Sequence, residues 1–310
     1  MSHFSTGLLS APFTPFKDDG SIDVERISQQ IELANRTLDG AFVCGTTGEG
    51  VSLTLKERKL VAQQWLEKRG GQLRVIVHVG NSCIEDARSL AEHAESHGAN
   101  AVAAMAPAAF RAETPADLVR YCALIAAAAP NTPFYYYHMP SLNGLKLDMV
   151  KTLRLLSETI PTFRGIKYTH EDLIEFALCL EEFGERYDLV FGRDELLLPA
   201  LLIGARAAVG STYNYLTAPY RSIIAAVQAG DMVAARNSYM DVLRFIDVLI
   251  RHGGGIVAGK AIMSLVGLDL GPCRPPLRTL STEQVEAMRR DLQAIGFFEM
   301  VEASASSGAV

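Results

Sequence analysis

The run Gly98-Ala99-Asn100-Ala101-Val102, which leads into Ala103-Ala104-Met105, marks the architecture of this chain. Before it, over 84–97, Ile84, Ala87, Leu90, Ala91 and Ala94 recur at helical spacing. After it comes an apolar run at 101–105. A helix closed by glycine in the left-handed conformation, turning at once into a buried strand, is one half of a βαβ unit. The same signature returns at Gly40-Ala41-Phe42-Val43 and at Gly204-Ala205-Arg206-Ala207-Ala208-Val209. Working outward, strands are predicted at 7–13, 39–44, 74–79, 101–105, 133–137, 163–167, 188–192 and 206–210, with amphipathic helices between them. The segment 24–38 carries Val24, Ile27, Ile31, Ala34 and Leu38 on one face. Thr54 with Glu57 reads as a capping box, and Thr114 before Pro115 as an N-cap.

Eight such units imply an α/β fold, a closed (β/α)₈ TIM barrel over residues 5–212. An open doubly wound sheet is the alternative, but no Gly-x-Gly-x-x-Gly turn follows the first strand. Beyond residue 212 the pattern is helical, with helices predicted at 218–229, 231–252, 258–266 and 282–295. Gly253-Gly254-Gly255 and the stretch Pro272 to Pro276 punctuate them, and Ser281 with Gln284 forms another capping box. Residues 213–299 thus read as a C-terminal helical appendix of the same domain. The tail 300–310, with Glu302-Ala303-Ser304-Ala305-Ser306-Ser307-Gly308, has little to pack and is expected to be disordered.

Composition narrows the function. The hydrophobic fraction of 49% and mean hydropathy of +0.14 suffice for a large core. A net charge of −6 provides no basic footprint, so nucleic acid and anionic membrane are not expected as partners. Five scattered cysteines without a Cys-x-x-Cys pair support neither a disulfide framework nor a zinc site, and reduced, mostly buried thiols in a cytoplasmic protein are expected. No basic n-region followed by a long apolar stretch marks a signal peptide, and no apolar run is long enough for a membrane span.

In a (β/α)₈ barrel, chemistry gathers where strands end. The sixth strand lies in Thr162-Phe163-Arg164-Gly165-Ile166-Lys167-Tyr168-Thr169. A lysine in such an apolar run is costly as an ammonium, and burial makes its amine a nucleophile able to form a Schiff base. Snorkelling to water is the ordinary alternative. Strand two exits at Gly45-Thr46-Thr47-Gly48-Glu49, whose hydroxyls and backbone N–H groups suit a carboxylate, although a plain glycine turn looks the same. Strand five exits at Tyr135-Tyr136-Tyr137-His138-Met139-Pro140. Tyr135 and Tyr137 share one face, and a phenol there can shuttle a proton; His138 could act as the base or serve as a hydrogen-bonded structural residue. Strand seven exits at Gly192-Arg193-Asp194-Glu195, where adjacent carboxylates could bind a polyol or complement a helix N-terminus. Strand eight exits at Gly210-Ser211-Thr212-Tyr213-Asn214. Lys260, in Gly255-Ile256-Val257-Ala258-Gly259-Lys260-Ala261-Ile262-Met263, competes as a nucleophile, but its place in the appendix favours a structural role.

These five strand exits, in order and spacing over residues 5–300, resemble the dihydrodipicolinate synthase / N-acetylneuraminate lyase family of pyruvate-dependent class I aldolases. The resemblance implies a homotetramer that uses neither metal nor organic cofactor. It implies that Lys167 forms the Schiff base with the C2 ketone, and that Tyr137 shuttles the proton at the cleaved bond, as phenolate or as a relay to the substrate carboxylate. Thr46 and Thr47 would hold the pyruvate carboxylate, with Thr47 also orienting Tyr137. Thr169, Gly192, Asp194, Glu195 and Ser211 would line the sugar-chain pocket.

Within the family, the synthases carry an arginine two residues after the proline of the strand-five motif, where this chain has Leu142. That points to the lyase branch and to reversible cleavage of N-acetylneuraminate into N-acetylmannosamine and pyruvate. Another aldolase or dehydratase of a 2-keto-3-deoxy sugar acid is the alternative, and a non-catalytic barrel is disfavoured by the presence of Lys167 and Tyr137. The loop after strand four reads Ala106-Pro107-Ala108-Ala109-Phe110. It lacks the tyrosine that several family members insert into a neighbouring subunit, so no intersubunit tyrosine relay is expected.

Overall fold

The computed structural model describes Phe4 and residues 6–306. Eight parallel strands close into a barrel in sequence order: β1 Gly7–Ser10, β2 Gly40–Val43, β3 Arg74–His78, β4 Ala101–Met105, β5 Phe134–His138, β6 Phe163–Tyr168, β7 Asp188–Phe191 and β8 Ala207–Gly210. Strand β8 pairs back onto β1, with Leu9 opposite Val209. The barrel helices are α1 Val24–Thr37, α2 Leu55–Lys68, α3 Ile84–Ser96, α4 Pro115–Ala126, the single turn α5 Pro140–Asn143, α6 Met149–Thr159, α7 Leu173–Phe183 and α8 Leu197–Leu202. After β8 come α9 Ala218–Ala229, α10 Met232–Arg251, α11 Gly254–Leu265, α12 Thr282–Ala294 and α13 Phe297–Ser306.

Local chemistry sets the helix starts. Thr54 Oγ1 accepts from Glu57 N at 3.2 Å while Glu57 Oε2 accepts from Thr54 N at 2.8 Å, and Thr114/Asp117 and Ser281/Gln284 form the same reciprocal box. Side chains then sort into two layers about the sheet. Outward residues such as Val75, Val77, Val102, Phe134 and Tyr136 meet the helices. Inward ones, including Leu9, Phe42, Ile76, Ala103, Tyr135 and Tyr137, fill the barrel. Small alanines on β4 and β8 leave room for the two tyrosines from β5, since packing at native density needs large beside small. Tyr135 Oη closes the lower end on Asp188 Oδ2 at 2.5 Å. A third cluster joins the barrel to the appendix through Phe13, Tyr213, Tyr220, Phe245 and Phe297.

Several expectations shift. The first strand was expected at 7–13 and ends at Ser10. Gly98 and Gly204 are left-handed, with φ of +72° and +107°, as the repeat required. Gly40 is not: α1 closes at Leu38 in extended backbone. Gly40 lies within β2, where a Cβ would stand 2.6 Å from Arg74 O, so this glycine serves close strand approach. Helix α11 begins at Gly254 rather than 258, because Gly253 and Gly254, with φ of +115° and +77°, reverse the chain directly out of α10. The tail expected to be disordered from residue 300 is helical to Ser306, and Phe297 at its start is fully buried; residues 307–310 lie outside the described residues. Four cysteines are buried and Cys83 is exposed. Among the described residues, no helix is long and apolar enough to cross a membrane.

Candidate active site

The C-terminal ends of the strands surround a cavity of about 370 Å³. All nine residues expected at the site line it: Thr46 and Thr47 from the β2 exit, Tyr137 from β5, Lys167 and Thr169 from β6, Gly192, Asp194 and Glu195 from β7, and Ser211 from β8. Lys167 is opposite Tyr137 in the β5–β6 register and opposite Val190 in β6–β7. That pairing aims its side chain inward, as the alternation predicts.

Lys167 is 5% exposed. Its Nζ lies 3.9 Å from the centre of the Phe42 ring and 4.2 Å from that of Tyr137. Ring faces favour an ammonium, but burial outweighs them and pushes the amine down to about 7, with Asp194 opposing through space. Among the described residues Lys167 forms no ion pair. At neutral pH a large fraction of this amine is therefore uncharged and nucleophilic.

Asp194 is pushed the other way, up to about 6, by burial. Thr212 opposes that shift: its N and Oγ1 donate to Asp194 Oδ2 at 3.0 and 2.7 Å. The hydroxyls of Thr212 and Tyr220 lie 2.7 Å apart behind it. Gly210 and Gly192 make the approach possible, because a side chain at Gly210 would collide with the Asp194 carboxylate and one at Gly192 with Thr169 Oγ1.

Tyr137 Oη lies 3.3 Å from Thr46 Oγ1 and 3.1 Å from Met139 Sδ. The hydroxyls that meet Tyr137 are thus those of Thr46 and Thr169, where Thr47 had been expected to orient it. Burial raises the Tyr137 phenol above its ordinary value, with Thr46 opposing. The phenolate form expected from the sequence is therefore disfavoured.

Two candidates leave the site. His138 points into the helix layer, 3.8 Å from Glu175 Oε2, and burial pushes it down to about 3. Lys260 Nζ pairs with Glu49 Oε1 at 2.7 Å and donates to Pro272 O at 2.8 Å. Glu49 also accepts from Arg274 N at 2.8 Å and sits in left-handed backbone with φ of 53°. Glu49 therefore fastens the appendix to the β2 loop. Among the described residues no group of three or more His, Cys, Asp or Glu is arranged to hold a metal.

The sequence reading missed the wall supplied by the appendix. Ile246, Leu249 and Ile250 of α10 and Gly255 and Ile256 of α11 complete the cavity, making one side apolar. Its one signal was the triple glycine, which brings α11 up to the barrel mouth; a Cβ on Gly255 would stand 3.3 Å from Ser211 Oγ. Arg193, quoted in its motif without a role, also lines the cavity.

A TIM barrel with a neutral lysine on β6, a phenol beside it and hydroxyls at the β2 exit defines a class: Schiff-base enzymes acting on a keto acid. Comparison with known proteins gives the same answer. The chain matches the Dihydrodipicolinate synthetase family over residues 4–295 and belongs to it. It is 38% identical over 296 residues to N-acetylneuraminate lyase of Mus musculus, covering 94% of this chain and 92% of the relative. It superposes on N-acetylneuraminate lyase of Proteus mirabilis with a TM-score of 0.91 at 40% identity, covering 94% of this chain and 99% of the other. The sialic acid aldolase of Aliivibrio salmonicida gives 0.92 at 40% identity, covering 96% and 98%.

Proposed function

We propose that this protein is a class I aldolase of the lyase branch, cleaving N-acetylneuraminate reversibly to N-acetylmannosamine and pyruvate. The single observation that carries the chemistry is Lys167, buried in the cavity wall, without an ion pair among the described residues, its amine pushed down to about 7. The choice of substrate is supported by relatives of that name over nearly the whole chain.

In this reading the open-chain ketone of the substrate condenses with the Lys167 amine, losing water to form an iminium. Thr46 and Thr47 hold the carboxylate, which fixes the ketone against the amine. The C4 hydroxyl proton passes to Tyr137 Oη as the phenol's own proton passes to the substrate carboxylate. The C3–C4 bond breaks, its electrons move into the iminium, and an enamine remains as the aldehyde leaves. Protonation of the enamine at C3 and hydrolysis release pyruvate and restore the amine. Lys167 itself supplies the electron sink, so no organic cofactor is needed for the step. Asp194, Glu195, Thr169, Gly192 and Ser211 receive the sugar chain, and the apolar wall from α10 and α11 limits the cavity on the far side. We further place the enzyme in the cytoplasm as a homotetramer. Ile174 and Leu178 on α7, at 78% and 51% exposure, are suited to burial between copies, and sedimentation of the purified protein tests the state.

Borohydride trapping with pyruvate, followed by peptide mass mapping, tests the proposal. The expected adduct is on Lys167; an adduct on Lys260, or none, refutes the assignment. Turnover of N-acetylneuraminate against a panel of 2-keto-3-deoxy sugar acids then tests the substrate, and a clear preference for one of the others would replace it.

A further inference from the structure

Arg193 touches no reacting group in the chemistry above and reaches the Tyr137 phenol only through space, yet it stands at the β7 exit between two residues that take part. Its Nη2 donates to Glu171 Oε2 at 2.7 Å and its Nη1 to Glu195 Oε1 at 3.3 Å. Glu171 belongs to the loop between β6 and α7, and Glu195 to the turn Asp194–Leu196. One guanidinium therefore spans two adjacent strand exits across the mouth of the cavity. Glu195 is held from the other side as well, because Tyr239 Oη of α10 donates to its carbonyl oxygen at 2.6 Å.

Asp194 and Glu195 line the cavity and Glu171 lies just outside it, and crowding carboxylates is costly without a cation among them. Arginine suits the place better than lysine because its planar fork can engage two carboxylates at fixed angles. The contact occupies Oε1 of Glu195 and leaves Oε2 available to a hydroxyl. Holding a flexible carboxylate in advance also removes part of the ordering cost of binding.

We propose that Arg193 is a positioning residue that fixes the Glu195 carboxylate at the cavity rim, and so confers recognition of the polyol end of a long acceptor aldehyde. The inference rests on the sugar-acid aldolase reading and deepens it. Arg193 does not touch the reacting carbons, and its through-space influence on Tyr137 is the smallest of those acting on that phenol, so its main effect belongs to binding of the distal chain.

The test uses purified full-length Arg193→Gln and Arg193→Lys, assayed in the condensing direction with pyruvate and either N-acetylmannosamine or the three-carbon glyceraldehyde. For Arg193→Gln the KM for N-acetylmannosamine is expected to rise about tenfold with kcat within about threefold, the scale of one lost charge-assisted contact. The KM for pyruvate and kcat/KM with glyceraldehyde change by no more than about threefold, Arg193→Lys, which keeps the charge that Tyr137 feels, recovers part of the loss, and Arg193→Gln adds nothing in a Glu195→Gln background. Equal losses with both aldehydes, an unchanged KM for the long one, or additivity with Glu195→Gln would overturn the proposal. Should the wild-type enzyme turn over a different long sugar acid, the functional reading changes while the same long-against-short comparison, run with that acid's aldehyde, still decides the role of Arg193.

Discussion

Lys167 and Lys260 are both buried, at 5% and 4% exposure, and both rest against aromatic rings. They differ in what else they meet. Lys260, in the appendix, has Glu49 Oε1 at 2.7 Å and a backbone carbonyl at 2.8 Å, so a full counter-charge in direct contact opposes the burial that still lowers its amine. Lys167, in the barrel, has ring faces and a carboxylate that acts only through space. The first arrangement holds the ammonium and joins two parts of the chain separated by 211 residues in sequence; the second gives up stability and leaves an amine pushed down to about 7. Buried charge by itself therefore marks no active site. The missing partner does.

That contrast can be broken at either end. Lys167→Met is expected to give the largest effect: no borohydride adduct with pyruvate and cleavage at background, measured by trapping and by pyruvate release. Residual trapping in this variant would move the nucleophile elsewhere. Next in size, Lys260→Met leaves Glu49 charged and buried without its partner, which should cost about 3–5 kcal/mol in denaturant unfolding. The fraction that stays folded should still trap pyruvate on Lys167. A variant of wild-type stability that fails to trap would reverse the two roles.

A smaller effect sharpens the comparison through pH. The Lys167 amine is pushed down to about 7, so its neutral fraction falls about tenfold per unit below that value. The trapping rate should rise with pH on that slope and level off above about 7; a rise that continues towards 10 would show an ordinary, unburied amine. The smallest effect concerns stability. On folding, the Lys167 pKa drops from 10.5 to about 7, so between those values the unfolded chain binds more protons and wild-type stability increases with pH. Lys167→Met should therefore be more stable than wild type near pH 7, by about 0.5–2 kcal/mol. That gap should narrow as pH approaches 10.5, as followed by denaturant midpoints. A gap that widens would contradict the burial argument.

The barrel was legible because its signals are local. Each strand is a short apolar run, each helix has its own cap, and the ends of β4 and α9 fall where periodicity placed them. The gathering of Thr46, Thr47, Tyr137, Lys167, Asp194, Glu195 and Ser211 was legible for a related reason: once the fold is a barrel, the strand exits share one face, and those of β2, β5, β6, β7 and β8 line one cavity. Gly40 was misread because a glycine between a helix and a strand looks the same whether it provides a left-handed turn or a close approach, and only the distance to Arg74 O separates them. The tail was misread because its polar composition hides Met300 and Val301, which together with Phe297 just before it dock α13 against α9 and α12.

Residue types and their spacing along the chain were thus sufficient for the eight βα units and the helical appendix, because each strand, helix and cap rests on contacts between residues a few positions apart, while the strand-end companions of Lys167 followed from the barrel and the family resemblance. Three-dimensional packing was needed to pair Lys260 with Glu49, to place Thr46 rather than Thr47 against Tyr137, to bring α10 and α11 over the cavity, and to set Arg193 between Glu171 and Glu195. Those choices depend on distances between side chains far apart in sequence or differing by a single register step. Such distances exist only after the chain has closed.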